Sequence, residues 1–474
     1  MSATSTQILI QAPASKSMSH RALIGAALAP GESRLSGVLE SQDTQRTMAC
    51  LTACGARFAR LGGGEYLVQG MRHGPISGEA DVADLNVGES GTTCRLLAGV
   101  VAAGRGRFRL HGEGRMHDRP LGEPARALAS QGVVFCWEGK PGYPPVTIEP
   151  PTQNEGQNEG QSGGLPGGEI DVRLEESSQY LSGILLAAPL AKSALTISIS
   201  GEKAVSWPYV SLTLQTMRDF GVPVVVEVLT GGRFTPVEQD SVTRAEPGML
   251  RFIIQPGTYQ ARSLCVEGDW SNASYFLAAG AVGKRPVTVR GLTRASLQGD
   301  RAILDILAAM GARIAWASGS HDHAGGDQGG DEITVLAPQG GQLHGVDVDM
   351  GACPDLVPTV AVAACFAHGP TTIRNVAHLR IKECDRLETL ATEIAKTGCF
   401  ASMTADTLTI TPAPLPAGRR IEFCSQGDHR MVMGPALFAL GCVNAQFDNP
   451  GCVAKSFPEF WERWADVLAG AQQA

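Results

Sequence analysis

Five times along this chain a helix-like apolar stretch ends in glycine and a short strand-like run follows. The glycines are Gly55, Gly132, Gly221, Gly311 and Gly398, at intervals of 77, 89, 90 and 87 residues (55 to 132, 132 to 221, 221 to 311, 311 to 398). Residues 51–54 lead through Gly55 into 56–58, and residues 394–397 lead through Gly398 into 399–400. Each glycine suits the position just past a helix, where a left-handed residue closes the last turn. A sixth, shorter helix is read over residues 431–440, ending at Gly441. Such regular recurrence of one supersecondary unit points to internal repetition. The period is too long for a solenoid of small repeats. It fits a unit of strand, helix, strand, helix and paired strands, and six units divide into two domains of three.

Composition narrows what the repeats can do. A chain of 474 residues is long enough for two to four domains. Only 18% of residues are charged, while Gly (57) and Pro (28) are plentiful, so the chain reads as many tight turns around apolar cores rather than as disorder. The net charge of -8 counts against a nucleic-acid binder, and 5% aromatics are too few for base-stacking platforms. The 12 cysteines are scattered without a Cys-x-x-Cys pair, and Cys50 and Cys54 have no histidine near them, so no metal site is expected. Free thiols and a polar N-terminus without a signal pattern suit a reducing cytoplasm. No apolar run approaches the 18 residues of a membrane span. Residues 150–168, which duplicate Asn-Glu-Gly-Gln, and residues 318–331, rich in Gly, His and Asp, interrupt the rhythm as flexible hairpin extensions. His321, Asp322 and His323 are expected to be solvated there rather than to bind metal.

The cations are few and sit at distinctive places. Ser15, Lys16 and Ser17 follow a strand-like Ile8, Leu9, Ile10 and precede a helix-like 21–28 that begins with Arg21. Free N–H groups at a helix start favour an anion, and Lys16 adds a full charge. Gly88 to Arg95 place Ser90, Gly91 and Thr92 before another apolar helix, where Gly91 would let a ligand approach the backbone. Arg115 and Arg119 stand four apart before Pro120 and could hold planar anions. Ser177, Ser178 and Gln179 open the apolar helix 181–190, and Ser206, Trp207, Pro208 and Tyr209 open one more. In the second half, Asp355 reads as the N-cap of helix 356–366. Lys382 and Arg386, at i and i+4, read as one helix face with Glu383 beside them. Asp428, His429, Arg430 and Met431, and later Lys455, Ser456, Phe457 and Pro458, complete the set.

Seven cations, Lys16, Arg21, Arg115, Lys382, Arg386, Arg430 and Lys455, thus lie beside Ser, Gly or a helix start in an acidic protein. That pattern suits one or two small ligands bearing several phosphate and carboxylate groups. Asp355 and Glu383 are the carboxylates of interest among them, and they are the acid/base candidates. Neither a catalytic-triad order nor a Gly-x-Ser-x-Gly elbow occurs.

Taken in this order, the motifs closely resemble the 5-enolpyruvylshikimate-3-phosphate synthase family, the 3-phosphoshikimate 1-carboxyvinyltransferases. The residues that carry the resemblance are Lys16 to Arg21, Ser177 to Gln179, Lys382 to Arg386, Asp428 to Met431 and Lys455 to Pro458. Glu267 to Ser271, Ala273 to Phe276 and Leu297 to Asp300 also look like that family. The likeness covers residues 8–460. It implies an α/β fold of two inverse α/β barrels, each of three βαβαββ-like units around a pseudo-threefold axis. One domain would be residues 14–266 and the other residues 267–474 with the N-terminal strand in 1–13, the active site lying in a cleft that closes on the first substrate.

The resemblance also implies the chemistry. The enolpyruvyl group of phosphoenolpyruvate would pass to the 5-hydroxyl of shikimate 3-phosphate with loss of phosphate, in aromatic amino acid biosynthesis. No metal and no cofactor is called for, and the expected state is a cytoplasmic monomer without nucleic-acid or membrane partners. Lys16, Ser17, Arg21, Ser177, Ser178, Gln179, Ser206, Tyr209, Asp355, His378 and Lys382 would contact shikimate 3-phosphate. Lys16, Gly91, Arg115, Gln179, Arg386, Arg430 and Lys455 would hold phosphoenolpyruvate. Asp355 would take the hydroxyl proton and Glu383 would handle the proton at C3, with Lys16 as a third catalytic group.

Some positions depart from the family pattern. Glu89 and Ser90 stand where Asn and Ala are usual, and Leu96 stands where Pro is usual. Trp207 replaces a Lys or Arg, and His378 replaces an Asn, with donation to the substrate phosphate still expected of it. The alternatives are the related UDP-N-acetylglucosamine enolpyruvyl transferase and a non-catalytic phosphometabolite-binding homologue. The first often uses a loop cysteine, but residues 111–120 contain Arg115 and no cysteine. The second would need a broken catalytic pair, and Asp355 and Glu383 are both present.

Overall fold

The computed structural model describes residues 7–78, 81–151, 164–317 and 331–472. Most of the two interrupting segments, including His321, Asp322 and His323, lies outside these residues. The chain forms two compact units, Lys16–Val266 and Met1–Ser15 with Glu267–Ala474.

Helices are numbered in chain order. In Lys16–Val266 they are α1 (Lys16–Leu28), α2 (Gln42–Ala53), α3 (Gly91–Ala102), α4 (Gly122–Leu128), α5 (Gln179–Ala187) and α6 (Pro208–Asp219). The other unit holds α7 (Trp270–Val282), α8 (Ile303–Ala309), α9 (Val357–Ala364), α10 (Arg386–Ala395), α11 (Arg430–Met433) and α12 (Phe460–Gln472).

The repeat is visible in the sheets. Strand Ala83–Asn86, helix α3, strand Phe108–His111, helix α4 and the hairpin strands Val134–Trp137 and Val146–Glu149 form one unit. The first two strands pair in parallel, with Leu85 opposite Leu110, and the last strand returns antiparallel between the second and third. The same order recurs around Gly168–Leu174 and Leu195–Ala204, where an extra edge strand Arg233–Val237 is added. In the sheet of Gly31–Ser36 the first strand comes from the far end of the segment: Ser263–Cys265 pairs in parallel with Arg34–Ser36. In the other unit the N-terminal strand Ile8–Gln11 takes that place beside Val287–Leu292.

The five glycines are left-handed in every case, with φ of 108°, 76°, 78°, 98° and 89° at Gly55, Gly132, Gly221, Gly311 and Gly398. The sixth unit departs from the expectation. Helix 431–440 is not continuous: α11 ends at Met433, Pro435 opens a 3-10 stretch to Gly441, and the left-handed residue is Cys442 at φ 59°. Proline cannot donate to the preceding turn, so the α-helix stops there. Gly441 serves packing instead, because a Cβ on it would lie 2.6 Å from Leu415 and 3.1 Å from Phe366. This helix is also the first of its unit. It joins the parallel strands Arg420–Phe423 and Asn444–Phe447, and α12 follows where the other units place their second helix.

The first helix of each unit is buried nearly all round, as in α1, α3, α5, α7 and α9. A helix apolar on every side belongs inside. The strands alternate instead, Ile8 and Ile10 buried and Leu9 and Gln11 exposed, which is the signature of sheets solvated on one face. Helices inside and sheets outside make the inverse arrangement. Inside Lys16–Val266, α3 and α5 touch backbone to backbone: a Cβ on Gly99 would lie 2.3 Å from the Gly183 carbonyl carbon. Gly99→Val is therefore expected to lower the unfolding free energy by about 3 kcal/mol or more. Gly139→Ala, at a position with nothing within 4 Å, should stay within about 0.5 kcal/mol. Chemical denaturation of both variants checks this.

Candidate active site

In Lys16–Val266 the predicted residues gather at the starts of inner helices. Lys16 opens α1 and lies 3.4 Å from Asp43 on α2. Ser90 caps α3, accepting from the Thr93 amide, and Gly91 is its first helical residue. Gln179, the first residue of α5, donates to Thr92 Oγ1 at 3.0 Å and accepts from Arg95 at 3.2 Å, so the starts of α3 and α5 are tied side by side. Ser177 and Ser178 are buried just before it. Ser206 is held left-handed at φ 56° ahead of α6, a costly conformation for a residue with a side chain.

Arg21 is fully buried. Its Nε donates to Thr213 Oγ1, and its terminal nitrogens donate to the carbonyls of Ser17 and Tyr209, each at 2.8 Å. One guanidinium thus fixes the start of α1 against that of α6. Burial lowers its pKa to about 10, which still leaves it charged at neutral pH. The two arginines before Pro120 differ sharply. Arg115 is exposed on the 3-10 turn Gly114–Asp118. Arg119 is buried and donates to the Glu89 carbonyl, and a Cβ on Gly91 would lie 2.4 Å from its guanidinium. Gly91 therefore leaves room for a protein side chain, and Arg119 is the arginine at the start of α3. Its spacing to Arg115 was the available signal.

The unit formed by Met1–Ser15 and Glu267–Ala474 assembles a charge cluster. Arg386 Nε donates to Asp428 Oδ2 at 2.7 Å, one terminal nitrogen donates to Asp355 Oδ1 at 3.0 Å, and the other to Glu383 Oε2 at 2.9 Å. Arg430 donates to Asp355 Oδ2 at 2.9 Å and to the Tyr275 hydroxyl at 3.1 Å. Lys455 lies 3.5 Å from Glu383 Oε1. Burial alone would lower the pKa of Arg386, but Asp428, Glu383 and Asp355 outweigh it and raise it well above the usual value. Burial pushes the Tyr275 phenol up to about 12, against the opposing charge of Arg430. Lys382 is half-buried next to this cluster in sequence, and His378 is buried on the 3-10 turn Ala377–Ile381.

Three sequence expectations need correction here. Lys382 and Arg386 do not share a helix face. Lys382 ends the turn Ala377–Ile381 in extended conformation, and α10 starts at Arg386, capped by Asp385, which accepts from the amides of Leu387 and Glu388. Asp355 is not an N-cap but the middle of a 3-10 turn, Pro354–Leu356, capped by Cys353. Finally, two carboxylates are too few: Asp428 is a third, fully buried against Arg386. Its place one residue before His429 and Arg430 does not reveal that it faces α10.

A model of the family described as EPSP synthase (3-phosphoshikimate 1-carboxyvinyltransferase) matches residues 4–464. The chain belongs to the EPSP synthase family. It is 37% identical to a 3-phosphoshikimate 1-carboxyvinyltransferase of Marinomonas sp. over 96% of this chain and 95% of the relative. It is 39% identical to one of Laribacter hongkongensis over 96% of each. In fold it is similar to an EPSP synthase from Acinetobacter baumannii (TM-score 0.71, 24% identity, 97% and 95% of the two chains). It is also similar in fold to the enolpyruvyl transferase NikO from Streptomyces tendae (TM-score 0.67, 16% identity, 97% and 94%).

One departure from the EPSP synthase pattern acquires a physical reason, and another is placed at the surface. Trp207 is buried, stacks on Phe252 and donates to the Val242 carbonyl at 2.7 Å. It anchors the start of α6. Glu89 is exposed, and its Oε1 would be 2.4 Å from a Cβ on Gly114. Among the described residues no helix is long and apolar enough to cross a membrane, and no group of three or more His, Cys, Asp or Glu could hold a metal ion.

Removing one member of a buried ion pair strands the other. Asp428→Ala is expected to cost about 3 to 5 kcal/mol of unfolding free energy. Arg290→Ala, which breaks the half-exposed pair with Glu332, should cost under about 1 kcal/mol. Equilibrium denaturation of the two variants distinguishes these outcomes.

Proposed function

We propose that the protein transfers the enolpyruvyl group of phosphoenolpyruvate to the 5-hydroxyl of shikimate 3-phosphate, releasing phosphate. The observation that carries this reading is the cluster in which one guanidinium, Arg386, holds Asp355 and Glu383 side by side, in a chain of the EPSP synthase family. The working form is proposed to be a cytoplasmic monomer.

The roles follow from acid–base chemistry. Glu383 delivers a proton to C3 of phosphoenolpyruvate while the 5-hydroxyl oxygen bonds to C2, and Asp355 takes the hydroxyl proton. Glu383 then removes a proton from C3 of the tetrahedral intermediate as the bond from C2 to the phosphate oxygen breaks and phosphate leaves. Lys16 and Lys455 offset the charge that collects on the phosphate, with Gly91, Arg115, Gln179, Arg386 and Arg430 holding the same substrate. Ser17, Arg21, Ser177, Ser178, Ser206, Tyr209, His378 and Lys382 hold shikimate 3-phosphate. Arg21 acts in part indirectly, since it donates to Thr213 and to the carbonyls of Ser17 and Tyr209.

The ion pairs explain how such a cluster waits for substrate. Arg386 and Arg430 already hold Asp355, and Arg386 and Lys455 already hold Glu383. An arriving anion exchanges one carboxylate partner for another, so no cation is left buried without a counter-charge. The displaced protein carboxylate is then available to move protons.

Phosphate release should require phosphoenolpyruvate and shikimate 3-phosphate together. Release without the second substrate overturns the reading. Glu383→Gln keeps the size and removes the base, and is expected to lower kcat by 10² to 10⁴-fold, the usual weight of a general acid–base group. Shikimate 3-phosphate affinity, measured by calorimetry, should stay near wild type. Wild-type turnover in this variant would remove Glu383 from the mechanism.

A further inference from the structure

Within Lys16–Val266, four polar side chains from three neighbouring elements form one line. His20 on α1 has Nδ1 2.7 Å from Thr47 Oγ1 on α2. Thr47 Oγ1 lies 2.6 Å from Thr93 Oγ1 on α3. Thr93 Oγ1 donates to Ser90 Oγ, the cap of α3, at 2.7 Å. All four residues are 0% exposed. Thr47 and Thr93 also reach the carbonyl of Asp43, at 3.5 and 3.4 Å, and the Asp43 carboxylate pairs with Lys16. None of the four is among the substrate residues assigned above.

The protons in this line have a direction. His20 Nε2 has no hydrogen-bond partner among the described residues. An orphaned buried N–H is rarer than an under-used acceptor, which assigns the proton to Nδ1. His20 then donates to Thr47, Thr47 to Thr93, and Thr93 to Ser90. Burial first, and then the charges of Lys16 and Arg21, hold the imidazole pKa well below 6.5, so the ring stays neutral. Hydrogen bonds are stronger in so dry a surrounding, so this line ties together the elements it joins. Here those elements are the start of α1, which carries Lys16, and the cap of α3, which carries Gly91.

We propose that His20 is a positioning residue which, through Thr47 and Thr93, fixes the α3 cap relative to Lys16 and so shapes the site for the phosphoenolpyruvate anion. This rests on the function proposed above. The test compares His20→Leu, His20→Asn and Thr47→Val in the full chain. An Asn amide can stand where Nδ1 stands, whereas Leu cannot donate. His20→Leu and Thr47→Val should each raise KM for phosphoenolpyruvate about tenfold, the effect of one lost hydrogen bond in a buried line. KM for shikimate 3-phosphate and kcat should hold, His20→Asn should restore the first KM, and the double variant His20→Leu, Thr47→Val should be no worse than either single change. An equal rise for both substrates, or no rescue by His20→Asn, overturns the proposal. Hydrogen exchange of the Gly91, Thr92 and Thr93 amides reads the cap independently of turnover. It should quicken in His20→Leu and not in His20→Asn, and unchanged exchange in His20→Leu overturns the proposal whatever the activity. Absence of phosphate release by the wild type would instead refute the proposed reaction while leaving the exchange result to judge the relay.

Discussion

A guanidinium cannot be buried without compensation, and Arg386 shows how much structure that requirement recruits. Its side chain is 2% exposed and is met by three carboxylates from three separate elements. Asp428 comes from the loop before α11, Asp355 from the turn before α9, and Glu383 from the segment before α10. Satisfying one charge therefore brings the starts of successive helices together. The resulting arrangement is a balanced one, in which Arg386, Arg430 and Lys455 face Asp355, Glu383 and Asp428. Such balance suits chemistry on anions, because partners can be exchanged without ever stranding a charge in the interior.

The other unit solves a similar problem with neutral groups. Arg21 is buried against backbone carbonyls and a threonine hydroxyl, and the starts of α3 and α5 are joined by Gln179 and Thr92. Close helix approach makes this possible. Gly99 and Gly183 let α3 and α5 meet at backbone distance, so that short side chains such as Thr92 can reach across. Bulk at either glycine would separate the two starts as well as loosen the core.

Legibility varied with the range of the interaction. The five left-handed glycines could be read directly, because the requirement for positive φ past a helix is local. The helix starts at Lys16, Gly91, Gln179 and Pro208 were also close to expectation, since capping and proline signals act within a turn. The sixth unit differs from its sequence expectation because a helix-like apolar run does not reveal that Pro435 splits it, nor which helix of the unit it is. The i, i+4 spacing of Lys382 and Arg386 implies one face only in a continuous helix, and Asp385 caps α10 between them.

The sequence by itself determined the repeat, the family motifs and the chemical character of the site: scarce cations beside helix starts, with carboxylates among them. These are matters of residue type, order and local conformation. Only the tertiary structure decided which cation meets which carboxylate, that Asp428 is the buried partner of Arg386, and that Arg119 rather than Arg115 lies over Gly91. It also turned Trp207 into a packed anchor and joined His20 to Ser90 through residues 27 and 46 positions apart in the chain. Such pairings depend on how separate helices pack, and no spacing within a single segment encodes that.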